Sequence, residues 1–108
     1  MIKISYKEEN NHIKYIKISG HANYADNGYD IVCASVSSIA ITTINAIIMN
    51  DKTSIDYKEA DGLLEINILK YSNFNDILMT NMIDLLQELE KQYKKNIKIG
   101  RLNPWNWF

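Results

Sequence analysis

One cysteine and two histidines are all the thiol and imidazole chemistry in this 108-residue chain. The cysteine and one histidine share a short stretch, "ISGHANYADNGYDIVCASVSS", from Ile18 to Ser38. A thiol near an imidazole can attack a carbonyl carbon, with the imidazole taking the thiol proton and returning it to the leaving amine. Asp30 has the right side chain to cap a helix. With Asp30 as the cap, Cys33 falls in the first turn, where unpaired N–H groups and the positive end of the helix dipole favour a thiolate. Its pKa would then lie below the free value of about 8.5. The same amides, of Cys33 and Ala34, could donate to an oxyanion.

The neighbouring residues extend this arrangement. His21 closes a strand twelve positions before Cys33, and a loop of that length can fold back to the helix start. Gly20 and Gly28 bracket the loop and allow it hinge-like freedom, so that it could open and cover a site. Ser37, four residues after Cys33, shares its helix face and could touch a substrate backbone. Asp30 could orient His21 as well as cap the helix. Other readings of the same residues stay open here. A lone cysteine in an apolar helix is commonly a small buried hydrophobe, and a lowered pKa would also suit a redox-sensing thiol. A zinc site would have to be assembled from Cys33, His21, His12 and carboxylates.

The elements that must position these residues follow from periodicity. "IKISY" alternates with Ile2, Ile4 and Tyr6 in phase, "KEENN" is a polar turn, and "HIKYIKIS" returns with Ile16 and Ile18 in phase, giving a hairpin. The apolar run from Asp30 to Asn50 is too long for a strand. It places Val32, Val36, Ile39, Thr43 and Ile47 at helical spacing. "TSIDYKE" and "LLEINIL" flank Asp61-Gly62, a tight-turn signal. "SNFNDILMTNMIDLLQELEKQY" is an amphipathic helix capped by Asn73, with Phe74, Leu78, Met82, Leu85 and Leu89 as its stripe. "NIKI" closes the chain as a strand. The order β-β-α-β-β-α-β predicts one α+β domain over residues 1–108, a mostly antiparallel sheet with two helices packed on it. The tail, residues 103–108, holds Trp105, Trp107 and Phe108, which we expect to pack on the sheet or on a second subunit.

The totals narrow the class. A net charge of −1, with Arg101 the single arginine, gives no surface for nucleic acid. One cysteine forms no internal disulfide, and the alternating amino terminus reads as neither signal peptide nor membrane span. The expected setting is cytoplasmic, with no membrane partner.

The motifs "GHA" (Gly20–Ala22), "GYDIVCA" (Gly28–Ala34) and "VS" (Val36, Ser37) together resemble the signature of the bacterial ribosomal-processing cysteine protease family. The resemblance covers nearly the whole chain, with Ser35 where alanine is more usual and the aromatic tail outside the pattern. It implies an endopeptidase that removes the N-terminal extension of large-subunit ribosomal protein twenty-seven, cutting after a pair of aromatic residues. It further implies Cys33 as nucleophile, His21 as general base, Asp30 and Ser37 as supporting residues, a homodimer, and neither metal nor cofactor.

Overall fold

The computed structural model of the chain describes residues 1–20 and 27–102, with the side chains of 27–30 outside that description. The first hairpin pairs β1 (Ile2–Glu9) with β2 (His12–Ser19). Its turn is shorter than the five polar residues suggest. Asn10 and Asn11 alone form it, at φ of 54° and 66°, a backbone region that asparagine tolerates better than most residues. The pairing shifts between Lys7 and Glu8. That shift brings Ile13 into the core although it is out of phase with Ile16.

The second hairpin, β3 (Ile55–Ala60) and β4 (Leu63–Ile68), turns on Asp61-Gly62 with Gly62 at φ 70°. The sheet order is β3-β4-β2-β1-β5, with β5 (Ile97–Arg101) parallel to β1 and every other pair antiparallel. This is the expected α+β order. The cross-strand partners sort by face: Ile2↔Ile97, Ile4↔Ile18, Tyr6↔Ile16, Ile16↔Ile66 and Ile55↔Ile68 lie on one side. Lys3, Lys17, Lys58 and Lys98 lie on the other, where water reaches them. On that polar face burial, and a 3.0 Å hydrogen bond donated to Glu65, push the Tyr15 phenol up to about 12.

Both helices cover the apolar face. α1 (Asn27–Asp51) is 25 residues long and buries Val32, Val36, Ala40, Ile44 and Ile47. Thr43 is also buried, its hydroxyl donating to the Ile39 carbonyl at 2.9 Å. The stretch Ile31–Ser54 is long and apolar enough to cross a membrane by composition alone. In this fold its stripe is spent on the sheet and on α2. α2 (Asn73–Gln92) departs from expectation in two ways. Ser72, not Asn73, is the cap, its hydroxyl accepting from the Asn75 amide at 3.0 Å. The buried stripe is Asn75, Met79, Met82, Ile83 and Leu86, which leaves Phe74 and Leu85 exposed. The apolar arc of α2 is wider than the face the sheet accepts, and Asn75 is drawn inward by its 2.9 Å bond to Ser54 Oγ.

Candidate functional site

Four strands end together beside the stretch of α1 from Cys33 to Ile41. Register places Lys3 opposite Ser19, Ser19 opposite Leu63, and Leu63 opposite Ala60. The start of β1, the end of β2 and the tip of the second hairpin therefore share one end of the sheet. A cleft of about 260 Å³ opens there. Cys33 and Ser37 line it from α1, and Ile2, Ile18, Gly20, Glu59, Gly62 and Leu64 are among its other walls. Cys33 is half-buried, packed on the core on one side and facing the cleft on the other. Ser37 is exposed at the same opening. The i, i+4 pairing of Cys33 and Ser37 is thus realised as one wall of one cleft.

Gly20 has a reason to be glycine that is not hinge freedom. Its φ is +144°, and a Cβ there would sit 2.6 Å from the Met1 carbonyl oxygen. Its N–H donates to the Gly62 carbonyl at 3.0 Å, tying the end of β2 to the hairpin tip. The described chain leaves the cleft wall at Gly20, one residue short of His21, and resumes at Asn27.

The start of α1 corrects three expectations. The helix begins at Asn27, three residues before the expected cap, because no proline or β-branched residue separates Asn27 from Asp30. Asp30 is therefore inside the helix, and Gly28 belongs to its first turn and not to a loop. Cys33 is the seventh helical residue, so its amide and that of Ala34 belong to the regular ladder and are not spare donors. The dipole's effect on the thiol is correspondingly weaker, since it fades beyond the first turn. Ala34 is exposed on the helix and is not a wall of the cleft. His21, the Asp30 side chain and the tail aromatics Trp105, Trp107 and Phe108 lie outside the described residues.

His12 does not join Cys33. It opens β2, whose far end is the cleft wall, about 25 Å away along the strand. Its Nδ1 is 3.2 Å from Asp76 Oδ1, and its ring rests on Tyr71. His12 and Cys33 are therefore too far apart to share one zinc ion.

Sequence reading missed the opposite wall. Glu59, Gly62 and Leu63 belong to a hairpin that is legible as a hairpin, but only the strand order β4-β2 brings its tip against Gly20. Glu59 is the single charged residue among the described walls.

A half-buried thiol facing a peptide-sized apolar cleft suits acyl transfer, and comparison with known proteins gives the family of the chain. Residues 1–98 match the family model described as cysteine protease Prp. This chain belongs to the Prp cysteine protease family. It is 31% identical over 86 residues to the ribosomal processing cysteine protease Prp of Staphylococcus aureus, an alignment covering 77% of this chain and 81% of that one. The Bacillus subtilis Prp is 28% identical over 96 residues, covering 77% and 80%. Among solved structures, an essential Prp of S. aureus carrying a covalently linked product peptide superposes with a TM-score of 0.84 at 25% identity. That match covers 94% of this chain and 100% of the other. The fold is shared further with SMU.848 of Streptococcus mutans, with a TM-score of 0.79 at 21% identity and 94% of each chain covered. The chain is accordingly a cysteine protease of α+β fold.

Proposed function

We propose that this protease removes the N-terminal extension from the precursor of large-subunit ribosomal protein twenty-seven, in the cytoplasm. The single observation that carries the reading is the only thiol of the chain, Cys33, facing the apolar cleft at the strand ends. The relatives' description as ribosomal processing proteases supports the substrate class. In this reading Cys33 Sγ loses its proton to His21 and attacks the scissile carbonyl. The tetrahedral oxyanion collapses as His21 returns the proton to the leaving amine, and a thioester to the N-terminal fragment remains. Water, deprotonated by His21, then hydrolyses the thioester and frees the thiol. Asp30 orients His21, and Ser37, at the cleft mouth, contacts the substrate backbone. The cleft of about 260 Å³ with its Ile2, Ile18 and Leu64 walls suits the aromatic side chains before the cut. The working unit is a homodimer, supported by the apolar residues left exposed on the helices: Ile41, Met49, Phe74, Ile77 and Leu85.

The test is incubation with a peptide spanning the precursor's cleavage region, beside Cys33→Ala and His21→Ala, with products read by mass spectrometry. A single cut after the aromatic pair, absent in both folded variants, is expected. Intact peptide bound equally by all three proteins would instead mark a non-catalytic binding module. Sedimentation equilibrium should return twice the 12.5 kDa of one chain, and a monomer would remove the dimer.

A further inference from the structure

The cleft runs across the ends of four strands and stops at Glu59 and Ala60 of β3, and β3 is an edge of the sheet. An edge strand carries a row of backbone groups with no partner in the sheet. Which residues carry them is set by the turn. Ala60 and Leu63 close the two-residue turn at Asp61-Gly62 as directly opposed partners. The bond across such a turn runs from the first residue's carbonyl to the fourth residue's amide, so Ala60 and Leu63 form a hydrogen-bonded pair. Bonding alternates along an antiparallel ladder. Lys58 and Asp56 therefore also bond to β4, while Tyr57 and Glu59 turn their N–H and C=O groups outward.

Both residues are open to an arriving chain, since positions 56–60 of β3 are all exposed. Their side chains also lie on the helix-covered face. Tyr57 is opposite Ile66 and Glu59 opposite Leu64, whereas Asp56 and Lys58 occupy the polar face with Asn67 and Glu65. A strand laid along β3 would thus point every second side chain toward the side on which Cys33 and Ser37 line the cleft.

We propose that the open edge of β3 holds the peptide substrate as an added strand, bonded to the backbone of Tyr57 and Glu59, and feeds its scissile bond past Ala60 to Cys33. This rests on the protease reading, and it commits to an extended peptide as the occupant. Continuity of the edge with the thiol's own cleft argues for that occupant, because a bond must be drawn out straight for the thiol to reach its carbonyl. Strand addition supplies main-chain hydrogen bonds indifferent to sequence and leaves selection to alternate side chains in the cleft.

The experiment uses two variants at one position and one binding measurement. In Glu59→Pro the lost N–H points outward, so the ladder to β4 is untouched, and proline is accepted on an edge in that orientation. Glu59→Gln removes the charge and keeps the amide. We expect Glu59→Pro to raise KM for the precursor peptide by about tenfold, the worth of one well-made backbone hydrogen bond. Thermal unfolding and the rate of Cys33 alkylation by iodoacetamide should stay at wild-type values. Because Glu59→Gln keeps the outward N–H, its KM should rise clearly less than that of Glu59→Pro, and an equal rise in both would assign the effect to the side chain and overturn the backbone bond. Independently, peptide added to Cys33→Ala should slow hydrogen exchange at the Tyr57 and Glu59 amides. A wild-type KM in a folded Glu59→Pro, or unchanged exchange at both amides in the peptide complex, would overturn the edge as the binding surface. If wild type cuts no peptide and Cys33→Ala binds none, the protease reading itself fails and takes this proposal with it.

Discussion

Gly20 shows how a residue's type can be legible and its reason not. A glycine before His21 reads as a hinge, but the structure gives it a packing duty, with the Met1 carbonyl where a side chain would begin. Gly20→Ala should destabilise the protein by about 2 kcal/mol, from the positive φ together with the collision. Urea unfolding measures this, and an unchanged midpoint would contradict it. Cys33 is the converse case. Its candidacy as the nucleophile is readable from the chain, but the environment expected of it, a first-turn amide cradle, depended on where α1 starts, and α1 starts upstream.

Tyr15 offers a test far from the cleft. Burial, and then its bond to Glu65, raise the phenol's pKa from 10.0 to about 12 in the folded chain. A group whose folded pKa is raised gives stability that is whole below the unfolded value and is lost as pH rises through the folded one. Stability should therefore fall between about pH 10 and pH 12, and Tyr15→Phe should lose less across that window. Parallel alkaline profiles for the two proteins would show that the phenol is not held.

Among the elements, those with a strict period were legible. The two hairpins and the long helix came directly from alternation and from apolar spacing. Two of the misses share a physical cause: each was decided by a neighbouring element. Ile13 enters the core only through the irregular pairing after Lys7. The face α2 buries was settled by the sheet beneath it and by the bond from Asn75 to Ser54, against a sequence whose apolar arc admits more than one answer. The buried stripe of α1 can be tested by contrast within the last turns of the helix. Ile47 is fully buried and Met49 is 87% exposed. Ile47→Ala should cost about 3 kcal/mol, and Met49→Ala should stay within about 0.5 kcal/mol. Equal losses in a denaturant titration would mean that α1 is rotated.

At the scale of the whole molecule, the site is a product of topology. Cys33 and Ser37 come from one helix, but the wall they face comes from four strands brought together by the order β3-β4-β2-β1. No local pattern encodes that order. The glycines at the junction, Gly20 and Gly62, are bonded to each other across 42 residues of sequence. The sheet's polar face, with its lysines, is left to water, and the cleft opens at one end of the apolar layer. The thiol sits at that opening, packed on the core on one side and lining the cleft on the other, which is the placement the proposed nucleophile requires.

The most direct measurement follows the sulfur. Wild-type protein would be mixed with the precursor peptide, quenched within a turnover, and weighed intact, then digested to locate any adduct. A transient addition equal in mass to the N-terminal fragment less one water is expected on Cys33, decaying as free fragment appears. Cleavage that proceeds in Cys33→Ala, or an adduct carried by any other residue, would contradict it.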